Sequence, residues 1–385
     1  MKKLFIVVFN LTVSLFAGKT VPVEESEFFR KHVEPETGIV SYILEAHHIA
    51  PDIQSIYFTH KSMTDDGRFL VFHATDMKKK MRKHLYVLDL KKGKFTRIVA
   101  REVIPFLDVK RNQVYYITID GLFRHDLETS PAKAVKLCDV PAEIKQLKSK
   151  RYLCTHLTLT HDRKKAFLDV GTHGLYVQGM LDISSGKFTE WGRTDFYVNH
   201  GQIHPYRDDI ALCAWEALKG KLVNGVYPRM WLMEPGNKRT MIPSVTNYAT
   251  HERWSEDGKG FYFCSSGVYY HELASGRQYQ LTPMTAAHAT MTADNKYLTF
   301  DNSVGGWYRG CAWQIGFYNG KSKKGFYFYP KLEAYNTQEN PSTLHPDPHP
   351  QFVCNDKYII STVNLSNGHM DLSVTPVAQL IERTQ

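Results

Sequence analysis

The chain carries 18 histidines, and six of them stand in register with a repeated turn. His60, His156, His251, His288 and His349 each lie six residues before a polar anchor: Asp66, Asp162, Asp257, Asp294 and Asn355. His200 lies eight residues before Asp208, the extra two being accounted for within His204-Pro205-Tyr206-Arg207. One further unit, anchored at Asn112, has Phe106 at the matching place. Imidazoles collected at one place can ligate a metal, exchange protons near neutral pH or hold carboxylates. The plainer reading is a repeat-inherited histidine that bonds to its neighbouring unit, and it suits His60 and His156 best.

The densest chemistry is His345-Pro346-Asp347-Pro348-His349-Pro350. Alternating prolines hold the backbone extended, so Asp347 and His349 project to one side with His345 on the same parity. A His/Asp/His row suits a divalent metal that accepts mixed nitrogen and oxygen ligands, with His288 as a fourth donor. Without a metal, the same run is a stiff polar loop.

These residues need elements that bring distant segments together. The anchors Asp66, Asn112, Asp162, Asp208, Asp257, Asp294 and Asn355 are separated by 46, 50, 46, 49, 37 and 61 residues. Around them recurs one order: polar turn, apolar strand, second strand, Gly turn. Glu256-Asp257-Gly258-Lys259 leads into Phe261-Tyr262-Phe263, then Val268-Tyr269-Tyr270, then Ser275-Gly276. Aromatic residues make up 13% of the chain, which favours strands over helices. Seven such units predict an all-β, seven-bladed β-propeller forming a single domain over residues 18–385. The segment from Lys19 to His60 has room for an N-terminal strand that closes the ring with the last blade.

Residues 1–17 begin Met1-Lys2-Lys3 and continue as an apolar run to Ala17, the pattern of a secretory signal peptide. Export to the periplasm or the extracellular space is therefore expected. Its removal takes two lysines from the formal charge of +9, leaving +7. No later stretch is apolar and long enough to span a bilayer. The six cysteines are scattered singly with no C-x-x-C pair, which argues against a cysteine-only zinc site. Cys213 and Cys264 sit in apolar runs and read as buried thiols.

Three motifs occur in order: Asn199-His200-Gly201-Gln202-Ile203-His204-Pro205, Arg229-Met230-Trp231-Leu232-Met233 and Thr250-His251-Glu252-Arg253-Trp254. With His288 and the His-Pro-rich run ending at Phe352, they resemble the oligogalacturonate lyases, seven-bladed propeller polysaccharide lyases, and the related propeller ulvan lyases. The resemblance covers residues 195–375 by motif and the N-terminal half by blade spacing. It implies His251 as catalytic base, Arg229 as a catalytic or carboxylate-pairing group, and manganese held by His288, Asp347 and His349. Zinc or calcium are the other metals considered. Asp347 stands where the family run has a histidine, and Leu344 where it has a glutamine, so His345 is the candidate substitute ligand. Members of that family are typically cytoplasmic, whereas this chain reads as exported, which raises polymeric uronates, ulvan-like ones included, beside pectin fragments.

The chemistry of uronate cleavage fits the residues independently. A lyase removes the C5 proton beside the carboxylate and expels the oxygen at C4, so the charge growing on the carboxyl must be neutralised by a metal or Arg. A neutral His is a suitable base near pH 7. Tyr227, His200 or water can protonate the leaving oxygen. Trp254 can stack on a sugar face, and Gln202 and His200 are candidate substrate contacts. The positive charge would gather an anionic oligo- or polysaccharide. The alternative is a non-catalytic exported propeller that binds glycan or protein. A peptidase-associated propeller is disfavoured by the lack of a G-x-S-x-G elbow, and nucleic-acid binding by the lack of a concentrated basic stripe.

Overall fold

The structure is a computed structural model that describes residues 22–75, 83–147, 153–172, 174–216, 222, 225, 227–246, 248–304, 311–334, 346–365 and 368–385. The candidate signal segment 1–17 and the candidate ligand His345 lie outside the described residues. Seven antiparallel sheets follow one another along the chain, six of four strands and one of five, in the ring of a seven-bladed β-propeller. The unit around Asn112, faintest in the sequence, is blade 2, with strands Phe106–Asp108, Gln113–Thr118, Gly121–Asp126 and Val135–Cys138.

Each repeated polar turn is built by its own side chains. In blade 1, Thr64 Oγ1 donates to Asp66 Oδ1 at 2.6 Å, which also accepts the backbone N–H of Arg68 at 3.0 Å. Gly67 follows at φ 71°, a conformation that costs glycine little. The same hydroxyl-to-aspartate bond recurs between Thr160 and Asp162, Ser255 and Asp257, and Thr292 and Asp294. These four anchors, Asp66, Asp162, Asp257 and Asp294, are therefore Asx-type turns.

Blades hold together through their faces. Alternation sends Phe261 and Phe263 of blade 5 toward Leu212, Met230 and Ile242 of blade 4, and Tyr262 and Cys264 toward Met291, Leu298 and Phe300 of blade 6. Seven such buried clusters occur among the described residues, one for each blade interface. Each fully buried Phe or Leu in them contributes about 1.5–3 kcal/mol relative to exposure. The six cysteines are free thiols, and Cys213 and Cys264 are fully buried in these interfaces.

Ring closure takes two N-terminal strands, where the sequence pattern had suggested room for one. Blade 7 receives Gln351–Val353, Tyr358–Val363 and Asp371–Pro376 from the C-terminal end, then Val40–Leu44 and Phe29–Val33 from the N-terminal end. Tyr42 and Ile43 pair with Val374 and Ser373, so the unpaired edge of the C-terminal hairpin is covered. A C-terminal helix, Val377–Arg383, sets Val377 and Leu380 against Phe328 and Ile359 across blades 6 and 7.

One local difference matters for the site. His60 is not on an inner strand: blade 1 begins with Asp52–Gln54, and strand-like pairing resumes only at the Met63–Leu70 bridge. The intervening residues turn into the central channel. Phe58 there is fully buried, and its carbonyl accepts a 2.7 Å bond from Arg253 Nη1 of blade 5.

Candidate active site

The innermost strands begin at one mouth of the channel, and the registered histidines meet there. Rings follow one another as neighbours: His60 to His156 at 6.2 Å, His156 to His200 at 4.7 Å, His200 to His251 at 6.2 Å, His251 to His288 at 4.0 Å and His288 to His349 at 4.4 Å. All six histidines singled out by spacing are thus in one cluster.

Local backbone geometry aims three of them. His200, His251 and His349 have φ of 53°, 51° and 47°, left-handed values that are uncommon for residues with a side chain. In blades 4 and 5 the strand register slips at these points, between Asn199 and Gln202 and between Thr250 and Arg253. A β-bulge re-aims a side chain in this way. Strain held at these positions is a pointer to function.

Tyr57 and Phe58 fill the space that the histidines surround. The Tyr57 ring lies 4.7 Å from both His156 and His349, and Phe58 lies 5.0 Å from His288. Neither was singled out by the sequence, because nothing in their spacing distinguishes them from packing aromatics.

His288, Asp347 and His349 are buried and offer ligand atoms within 4.8 Å of one another. Asp347 Oδ2 lies 3.9 Å from His288 Nε2 and 3.6 Å from His349 Nε2. Asp301, on the second strand of blade 6 opposite His288, approaches His288 Nδ1 at 3.0 Å and accepts the His349 N–H at 2.9 Å. That contact turns Nε2 of His288 toward Asp347, the usual way in which a carboxylate orients a metal-binding imidazole. Burial alone would lower the pKa of His288, but Asp301 and then Asp347 outweigh it and raise it. Two imidazoles and one carboxylate fit manganese or zinc better than calcium, which prefers oxygen ligands throughout.

Beside this set stands Arg229, 4% exposed, immediately before the third strand of blade 4, Met230–Glu234. Its Nε donates to Glu252 Oε2 at 3.2 Å and its Nη1 to Glu216 Oε1 at 2.7 Å. Burial would lower its pKa, yet Glu252 and Glu216 together raise it, so the guanidinium stays charged. Its Nη2, also buried, has no hydrogen-bond partner among the described residues. Glu252 was visible within the Thr250–Trp254 motif, but neither it nor Glu216 could be assigned to Arg229 by spacing.

His251 Nδ1 lies 3.0 Å from Thr250 Oγ1. Burial lowers its pKa well below the ordinary range, helped by His288, Arg229, His200 and His349. Its imidazole is therefore neutral at pH 7. His200 Nε2 stands 4.0 Å from Glu216, and half-buried Tyr227 lies 5.9 Å from Tyr248, with its phenol pKa raised by burial.

Gln202 and Trp254 sit elsewhere. Gln202 Nε2 donates to the Glu252 carbonyl at 2.8 Å, and Trp254 Nε1 donates to the Gln202 carbonyl at 2.9 Å. Both are buried between blades 4 and 5, farther down the channel than His200 and His251.

No known family profile matches this sequence, and no curated protein matches it. Its fold does have solved counterparts. One is an oligogalacturonate lyase in complex with manganese, at 20% identity and a TM-score of 0.69, covering 90% of this chain and 96% of that one. Another is an oligogalacturonate lyase from Vibrio parahaemolyticus, at 18% identity and a TM-score of 0.69, covering 91% and 96%. At these identities the likeness is one of fold.

Proposed function

We propose that this chain is a polysaccharide lyase that cleaves uronic-acid glycans by β-elimination. The observation that carries the reading is the buried Arg229, with Nη2 unengaged, beside neutral His251 and the His288/Asp347/His349 donor set. The structural counterparts, two oligogalacturonate lyases, one of them in complex with manganese, support both the reaction class and the metal.

In this reading Arg229 pairs with the uronate carboxylate at the subsite of cleavage and orients it by charge-assisted hydrogen bonds. Glu216 and Glu252 hold the guanidinium in place. A divalent metal held by His288, Asp347 and His349, manganese in the first instance, would supply Lewis-acid stabilisation of the charge growing on that carboxyl. His251 removes the C5 proton; the electron pair forms the C4–C5 double bond as the C4–oxygen bond breaks. The departing oxygen takes a proton from Tyr227, His200 or water. No water is consumed, and the new non-reducing end is a 4,5-unsaturated uronyl residue.

Oligogalacturonates and pectin fragments are the proposed substrates, with ulvan-like polymers the second class. The basic, apolar segment at residues 1–17 supports export to the periplasm or beyond. Among the described residues no helix is long and apolar enough to cross a membrane.

The test is ultraviolet absorbance of unsaturated uronides when the purified chain, with added Mn2+, meets polygalacturonate, ulvan or glycosaminoglycans. His251→Ala should abolish the signal, lowering turnover about 10²–10⁴-fold while glycan is still bound. Silence on every substrate with metal present would remove the lyase reading and leave a glycan-binding propeller.

A further inference from the structure

The segment that plugs the channel has two sides. Tyr57 and Phe58 face the histidines, while Thr59, His60 and Lys61 line a second cavity of about 270 Å³ on the far side. The other walls come from the turn ends of the innermost strands, including Asp108, Lys110, Arg163 and Glu256. His251 stands near the start of the inner strand Thr250–Trp254, and Glu256 lies in the turn just past its end, five residues or roughly 16 Å on at strand rise. The cavity therefore opens at the opposite mouth from the proposed catalytic site.

Its lining carries four cationic side chains, Lys61, Lys110, Arg163 and Arg253, against two carboxylates, Asp108 and Glu256. The carboxylates are already taken: Glu256 by Lys61 at 2.6 Å and Asp108 by Arg163 at 2.7 Å. Among the lining side chains cations exceed carboxylates by two (four minus two), with exposed Lys110, near which Asp65 also stands, at the rim and Arg253 inside. Arg253 spends Nη1 on the Phe58 carbonyl, and a guanidinium has further N–H groups to offer. At the inner end, His60 is 5% exposed and its Nε2 has no hydrogen-bond partner among the described residues. A buried polar atom without a partner, on a residue that lines a cavity, calls for a polar ligand or ordered water. Tyr206, 57% exposed, adds an aromatic face to the rim. The volume falls just below the 300–1,000 Å³ or so of most small-molecule pockets, which limits the occupant to about one sugar ring.

We infer that this opposite mouth is a second ligand site that takes an acidic monosaccharide, with its carboxylate toward Lys110 and Arg253 and its ring against Tyr206. His251, Arg229, His288, Asp347 and His349 do not line this cavity, although His60 of the histidine cluster, Gln202 and Trp254 do.

Calorimetric titration of the full chain with galacturonate, galactose and inorganic phosphate tests it. Galacturonate should bind; Lys110→Glu should weaken that binding about tenfold, since it reverses a charge beside the carboxylate. His251→Ala and Arg229→Ala, which alter the other mouth, should leave this binding step in place. Thr59→Val, a change of similar volume at the inner end, gives a second readout and should weaken binding without altering charge. Galactose binding as tightly as galacturonate, phosphate binding as tightly, or an isotherm indifferent to Lys110→Glu and Thr59→Val would each overturn the proposal. So would galacturonate binding that disappears in Arg229→Ala alone, because that assigns it to the first site; no binding at all leaves a cavity holding only water.

Discussion

Asp301 holds His349 across a blade boundary: its Oδ2 accepts the His349 backbone N–H at 2.9 Å while the same carboxylate meets His288 Nδ1. Seven residues after its turn anchor Asp294, Asp301 occupies the register that Asp169 occupies after Asp162. Asp169 does the equivalent between blades 3 and 4, accepting the Gly201 N–H at 3.0 Å beside His200. A buried aspartate on a second strand thus positions a histidine of the following blade at two places in the ring.

Asp301→Asn should weaken metal binding about 10- to 100-fold with the fold intact. An amide has one acceptor oxygen where the carboxylate has two, so it cannot serve the His349 N–H, the His288 N–H and His288 Nδ1 together. Calorimetric titration with Mn2+ reads this directly, and unchanged affinity would remove Asp301 from its orienting role.

Phe58→Ala should cost about 3–5 kcal/mol, the usual range for emptying a fully buried aromatic position. The side chain is fully buried and packs on His251, His288 and His349, so metal affinity should fall together with the urea midpoint. A variant that loses neither would show that the plug is dispensable for both.

Removing Arg229 alone should destabilise the protein by about 3–5 kcal/mol, because Glu252, fully buried, would keep a charge without a cation. Burial already raises the pKa of Glu252, against the pull of Arg229. Arg229→Met combined with Glu252→Leu should recover much of that loss without recovering activity. Additive effects in this double-mutant cycle would mean that the two residues are not coupled.

His73, on the second strand of blade 1, has its pKa lowered from 6.5 to about 3, first by burial and then by Lys83. The unfolded chain takes up a proton as pH falls through 6.5, and the folded chain does not until about 3. The stability this group contributes is therefore present above pH 6.5 and lost between there and about 3. At full extent the loss is on the order of 5 kcal/mol. Urea midpoints at pH 7, 5.5 and 4.5 should show wild type losing stability relative to His73→Phe as pH falls.

The propeller was legible because its cause is local. Alternation within Phe261-Tyr262-Phe263-Cys264 and the Asx turns at Asp66, Asp162, Asp257 and Asp294 depend on neighbours a few residues away, and they repeat. The alignment of six histidines followed from the same repeat. His60 kept its place in the cluster although it left the strand expected to carry it, since the channel-filling loop of residues 55–62 brings its ring within 6.2 Å of His156.

Sequence by itself determined the ring, the turns and which residues could meet at its mouth, since period and turn chemistry are written in short stretches. Tertiary structure alone decided that Tyr57 and Phe58 divide the channel, that Asp301 serves two histidines at once, and that Glu216 and Glu252 hold Arg229. Those are contacts between segments tens to hundreds of residues apart. They exist only once the two ends of the chain pair in blade 7 and set every blade's distance from the axis.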